Sequence, residues 1–407
     1  MQGREPVAVT GLGVVTPAGA TLDAFWSTLR SGRSTATSLP DAFADLSVRF
    51  ATQVPEDIAA EEPTPTEQRR CDRFATHALV AARRALIDAE LPAPDDPGRA
   101  GVYVGCGFAG IATVERTLAD GPDRARLHPT LLPRIMPNAP GAVIAITEGW
   151  RGPNLSFGTV CAASSHAIGE AAQVVAGGQA DVMLAGGAEA PITPFVIRGF
   201  HALSALSTRN DCPEAASRPF AVDRDGFVLG EGAAFVVLER LADARARGAR
   251  IYAVLAGYAR TSDAFDLVMP TNDGTGAAEC MRAALADADL APRDVVHVNA
   301  HGTSTPRNDA AEAAAIRDVL GPDQASVTSI KGSIGHLMGA AGAAEFVAAC
   351  LTLHHREVPP TANTTEVDPD ADVDLVTGAP RPLPGGAVLS NSFAFGGQNA
   401  CLVVIDP

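Results

Sequence analysis

The stretch Gly158-Thr-Val-Cys161-Ala-Ala-Ser-Ser-His166-Ala-Ile-Gly-Glu170 decides the fold class. An apolar, strand-like run ends at Val160, and an Ala-rich helical pattern over residues 164–176 follows almost at once. The same order recurs outward along the chain. Short β-branched runs at residues 7–15, 101–105, 181–187, 232–239, 251–258, 295–300, 387–390 and 400–405 read as strands. Ala-rich stretches at 76–89, 276–288, 309–320 and 342–354 read as further helices. Strands alternating with helices predict an α/β protein with mainly buried sheets. Helices of small residues pack closely, which suits helices layered between sheets. The Pro- and Asp-rich loops at 91–98 and 358–374 are too short to separate independent domains. The polar stretch 241–250 is the weakest division, giving two halves, 1–245 and 246–407.

Composition narrows the function. The chain has 407 residues, 46% hydrophobic and 19% charged, which excludes chain-wide disorder. Its 31 Lys and Arg against 47 Asp and Glu give a formal charge of −16, a poor surface for nucleic acid. The seven cysteines are odd in number and form no Cys-x-x-Cys pair, which argues against a disulfide framework or a zinc site and for a reducing compartment. The first residues lack a signal-peptide layout, and the longest apolar stretch, 339–353, is interrupted by Glu345. A cytoplasmic protein without membrane association is expected.

A cysteine at a helix N-terminus faces unpaired N–H groups and the positive end of the dipole, which favour the reactive thiolate. The alternative for Cys161 is an inert thiol in a tight turn. Two more segments bear on the choice. Val298-Asn-Ala-His301-Gly-Thr303-Ser-Thr305 places a histidine and small hydroxyl residues between a strand and a helix. Lys331-Gly-Ser-Ile-Gly-His336-Leu-Met-Gly places another in a Gly-rich turn before a buried helix. A cysteine and two histidines at strand-to-helix junctions make a candidate nucleophile with acid–base and oxyanion partners. Open α/β sheets place ligands at such carboxyl ends.

These segments, with Asn391-Ser-Phe-Ala-Phe395-Gly-Gly-Gln-Asn399, resemble the elongating β-ketoacyl-acyl-carrier-protein synthases of fatty-acid and type II polyketide synthesis. The resemblance runs from the first strand to the last. It implies the thiolase fold, two similar α/β halves packed as five αβαβα layers, in a homodimer or a heterodimer with a chain-length-factor-like subunit. By the same resemblance Cys161 is the nucleophile, His301 and His336 the catalytic histidines, Lys331 the support of the second histidine, and Glu345 an acid of that network. Thr303 and Thr305 would bond the phosphopantetheine arm, which arrives on the carrier protein, so no cofactor or metal is expected. Phe395 would be the gate, its N–H joining that of Cys161 in the oxyanion hole. Phe200 would stand at the pocket entrance, Asp263 on a loop moving with the gate, and Phe108 along the acyl tunnel. Met136 would lie where a partner subunit closes that tunnel. Arg69, Arg70, Arg124 and Arg126 are candidates for docking an acidic carrier protein, or ordinary solvated surface.

The implied reaction is a decarboxylative Claisen condensation. Thiolate formation would lean on the helix terminus, and both histidines would hold the malonyl-derived enolate. The chain departs from the pattern at Ala394, where glycine is usual, which predicts a stiffer gate. Ser204 replaces a usual docking arginine. The departures and Phe108 point to a polyketide or specialised fatty-acid pathway. A primary fatty-acid synthase and a non-elongating acyltransferase of the same fold are the alternatives. A chain-length-factor-like protein is disfavoured by the presence of Cys161, and a thiolase by Cys401 lying inside an apparent strand.

Overall fold

A computed structural model describes residues 5–56, 63–120 and 127–407. Eleven strands form its main sheet: β1 (Val7–Val15), β2 (Ala100–Gly105), β3 (Asn154–Phe157), β4 (Val182–Glu189), β5 (Gly232–Arg240), β6 (Ala253–Ser262), β7 (Val295–Asn299), β8 (Ser326–Thr328), β9 (Asp374–Leu375), β10 (Ala387–Phe393) and β11 (Gln398–Ile405). Their order is β9-β8-β7-β10-β11-β6-β1-β5-β4-β2-β3.

That order contains a repeat. β1 to β5 lie as first, fifth, fourth, second, third, and β6, β7, β8, β10 and β11 repeat the arrangement. Pairing repeats as well. First with fifth and fifth with fourth are antiparallel, whereas fourth with second and second with third are parallel. β1 and β6 join the halves through Val7–Leu255, Ala8–Val254 and Val9–Ala253.

Helices complete five layers. α1 (Arg73–Asp88) and α2 (Ala139–Glu148) cover the outer face of the first half. α3 (Ala163–Ala176) and α6 (Ala341–His355) pack on each other and on strands of both halves. α4 (Thr275–Asp287) and α5 (Pro306–Leu320) cover the second half. α6 is buried at every position from Ala341 to Leu353, as a helix apolar all round must be. Close approach needs glycine here: a Cβ on Gly342 would sit 2.1 Å from Ser165 Oγ of α3. Glu345 is the one carboxylate in this buried run and requires a partner inside the protein.

Most of the predicted elements recur with ends shifted by a few residues. The residue 153–160 region differs more: β3 ends at Phe157, and a 3-10 turn over Val160–Ala162 precedes α3. β3, β8 and β9 are too short to show alternation in the sequence. The parallel strands aim their carboxyl ends at one region. Cys161, His301, Lys331 and Phe395 each follow such an end closely, after β3, β7, β8 and β10 respectively.

Candidate active site

The turn that presents Cys161 is strained. Val160 sits at φ 45°, a left-handed conformation that a β-branched residue rarely adopts. Cys161 is buried, with Sγ 3.1 Å from His336 Nε2. The backbone N–H groups of Cys161 and Phe395 both face the sulfur. The thiol and one ring nitrogen from each of His301 and His336 all lie within 4.8 Å of one another.

Burial outweighs the helix terminus at this thiol. Desolvation pushes its pKa up to about 12, against the lowering effects of the Lys331 charge and the Phe395 and Cys161 N–H groups. The thiol, not the expected thiolate, is the resting form. Burial and the Lys331 charge hold both imidazoles well below the usual histidine range, so they are neutral. Nδ1 of His336 meets no partner among the described residues. No partner there fixes the tautomer, so Nε2 accepts the thiol proton whenever the ring proton sits on Nδ1. Alkylation of Cys161 by iodoacetamide in the free enzyme should rise about tenfold per pH unit from pH 7 to 9. A flat profile, read by intact mass, would indicate a resting thiolate–imidazolium pair.

Lys331 supports His301, not His336 as expected. Its buried Nζ donates to Glu345, to the His301 carbonyl oxygen and, at 3.3 Å, to His301 Nδ1. An Nδ1 that accepts leaves the proton on Nε2, so His301 presents an N–H donor to the site. Glu345 lies in α6 beneath this lysine, its pKa raised by burial and pulled back by the Lys331 charge. Spacing in sequence could not separate the two histidines. Lys331 and His301 meet because β7 and β8 are adjacent parallel strands.

Two buried glutamates hold the site loops. Glu312 of α5 accepts from the N–H groups of His301 at 2.8 Å and Gly302 at 2.7 Å. Glu189 at the end of β4 accepts from Gly107 at 2.6 Å, Phe108 at 3.0 Å and Gly339 at 3.1 Å. Burial raises both carboxyls to about 7. The sequence signal was present in both cases: a carboxylate embedded in an apolar run. Glu189→Ala takes the carboxylate acceptor from three N–H groups, of which that of Gly339 is fully buried and those of Gly107 and Phe108 are partly so, and should cost roughly 2–3 kcal/mol, read as a lowered denaturation midpoint.

A cavity of about 60 Å³ is lined by Cys161, His301, His336, Thr303, Thr305 and Phe395, with Phe227, Val268 and Pro270 among its other walls. The Thr303 and Thr305 hydroxyls lie 2.9 Å apart. Phe200 is buried in the same apolar cluster as Cys161, with ring centroids 5.6 Å from Phe108, 5.2 Å from Phe227 and 6.3 Å from Phe395. Asp263 does not reach the cavity. Its N–H donates to Gly397 and its carboxylate accepts from Asn399, tying its loop to the turn after Phe395. The left-handed positions of that turn are Gly396 and Gly397, at φ 86° and 74°, so Ala394 meets no φ penalty in this conformation. Met136 is 47% exposed and stands away from the cavity. Arg69 and Arg70 are exposed in the last turn of the helix Pro65–Arg70, while Arg124 and Arg126 lie outside the described residues.

No helix among the described residues is long and apolar enough to cross a membrane. Residues 4–244 match the family model for the β-ketoacyl synthase N-terminal domain, and residues 252–365 that for its C-terminal domain. The 3-oxoacyl-acyl-carrier-protein synthase 2 of Synechocystis sp. is 42% identical over 406 residues, covering 98% of this chain and 97% of that protein. A β-ketoacyl synthase crystal structure from Burkholderia phymatum superposes with a TM-score of 0.93 at 34% identity, over 99% of this chain and 100% of that one. A type II polyketide ketosynthase, solved in complex with its acyl-carrier protein and bound to the hexaketide, gives 0.89 at 34% identity, over 99% and 100%. Agreement of this extent in both halves, carried through the five-layer architecture, means that the chain belongs to the β-ketoacyl synthase family.

Proposed function

We propose that the protein condenses an acyl group carried on Cys161 with malonyl-acyl-carrier protein, releasing CO2 and giving a β-ketoacyl-acyl-carrier protein. The observation that carries this reading is the convergence on one sulfur of two backbone N–H groups and a neutral imidazole, with a second imidazole in reach. His336 takes the thiol proton at Nε2 as Cys161 attacks the acyl thioester, and returns it to the departing carrier-protein thiolate. The N–H groups of Cys161 and Phe395 stabilise the tetrahedral oxyanion. The phosphopantetheine arm lies along Thr303 and Thr305. After acyl transfer, His301 donates its Nε2–H to the malonyl thioester oxygen, and His336 joins it as a donor once its own proton has moved from Nδ1 to Nε2. Loss of CO2 then leaves a held enolate, which attacks the acyl-cysteine. Decarboxylation drives the step, so this reading assigns no resident cofactor. Incubation with an acyl-carrier-protein thioester and then malonyl-acyl-carrier protein should give first an acyl adduct on Cys161 and then the extended thioester. An adduct on another residue would overturn the reading.

The acidic carrier protein docks on exposed cations, with Arg69 and Arg70 as candidates. A second chain of the same fold pairs on the free edge of β3, where Leu155 is 54% exposed and Ile146, on the neighbouring α2, is 70% exposed. Phe108 sets the acyl range. Its ring packs edge-on to Phe200 beside the nucleophile, where an acyl tail has to pass. The enzyme therefore takes short or thin acyl chains, as in a polyketide or specialised fatty-acid pathway. Phe108→Ala should speed loading of long saturated chains at least tenfold with malonyl decarboxylation unchanged. Wild-type enzyme that loads long and short chains equally fast would show that Phe108 is not the stop.

A further inference from the structure

The three reacting side chains also form a set of metal-ligating donors, a capacity the proposed condensation does not call on. Cys161 offers a thiol sulfur, and His301 and His336 each a ring nitrogen, all buried and within 4.8 Å of one another. One thiolate and two imidazoles suit a borderline-soft divalent cation, which binds such ligands at about 2.3 Å to sulfur and about 2.0 Å to nitrogen. Tetrahedral geometry at those lengths spaces the donors about 3.3–3.6 Å apart. The Cys161–His336 separation, 3.1 Å, is already close to that. The widest separation closes with a movement of roughly 1 Å. Beside the cluster, the cavity of about 60 Å³ has room for a metal-bound water as fourth ligand.

We propose that Cys161, His336 and His301 form an inhibitory zinc-binding site, occupied in competition with the acyl thioester. Coordination replaces the S–H bond with a metal–sulfur bond, and the thiol proton leaves to solvent. No electron changes hands. The ligands are unequal. His301 must move its proton to Nδ1 before Nε2 can bind metal, and Lys331 then gives up its 3.3 Å contact there. Lys331 keeps Glu345 and the His301 carbonyl, so the change is tolerated at the expense of affinity. Cys161 and His336 are the principal ligands. The spacing of cysteines in the chain could not reveal the site, because its ligands come from three separate segments.

The test reads metal rather than turnover, so it is independent of the condensation reading. Wild-type protein dialysed against zinc chloride should hold one ion per chain. Saturating zinc should slow iodoacetamide alkylation of Cys161 at least tenfold, and EDTA should restore it. Cobalt chloride should give a thiolate-to-cobalt charge-transfer band. Cys161→Ala should lose the band and bind zinc at least tenfold more weakly, and His336→Ala should bind it at least tenfold more weakly. Equal zinc binding by wild type and Cys161→Ala, or unprotected alkylation of the zinc-saturated wild type, would overturn the proposal. The wild-type protection and cobalt measurements decide the matter even if a variant fails to fold.

Discussion

Cys161→Ala should abolish acyl-enzyme formation and condensation while the protein stays folded. Condensation should fall roughly 10⁴-fold or more, because the nucleophile that carries the acyl group is gone. The substitution removes one sulfur atom from an apolar cluster, a change that costs only about 1–2 kcal/mol in a packed core. Malonyl decarboxylation should persist, since Lys331 sets the His301 donor through contacts that do not involve the sulfur. Intact-mass analysis with an acyl-carrier thioester checks the first part and CO2 release the second. An acyl adduct surviving on the alanine variant would remove Cys161 from its role.

His301→Ala and His336→Ala should fail differently. His336 Nε2 is 3.1 Å from a thiol that burial keeps protonated, so His336→Ala should slow acylation roughly 10²–10⁴-fold, the usual contribution of a positioned base. It should slow decarboxylation as well, because the enolate loses a donor. His301→Ala should slow decarboxylation about 10²–10³-fold and leave acylation within about tenfold of wild type. Single-turnover acylation and CO2 release, measured separately, distinguish the two. The sequence predicts a different outcome, in which either variant loses malonyl decarboxylation more than acyl transfer because the helix terminus makes the thiolate. Wild-type acylation by His336→Ala would reinstate that outcome.

Much of the site was legible before any coordinates. Cys161, His301 and His336 stand at strand-to-helix junctions whose residue types point to nucleophilic chemistry, Phe395 was placed by the family resemblance, and all four line one cavity. Thr303 and Thr305 line it as well, because they lie two and four residues beyond His301 on the same turn. Asp263 and Met136 do not line it: Asp263 is tied to the turn after Phe395, and Met136 is exposed at the surface, where the resemblance places a partner subunit. Glu189 and Glu312 were readable only as odd charges in apolar runs. That they bond site backbone follows from where β4 and α5 end up.

What the sequence alone determined is the alternation of elements, the α/β class and the identity of the reactive groups. Hydrophobic period and strand-to-helix junctions are local properties, and a family motif is a local string. Tertiary structure decided the electrostatics and the pairings. Whether Cys161 rests as thiol or thiolate depends on how completely the other layers exclude water around it, and burial overrode the local pull of a helix terminus. Whether Lys331 serves His301 or His336 depends on β7 and β8 lying side by side, a contact between segments about thirty residues apart. Both outcomes arise from segments distant in the chain packing against one another, which no single stretch of sequence records.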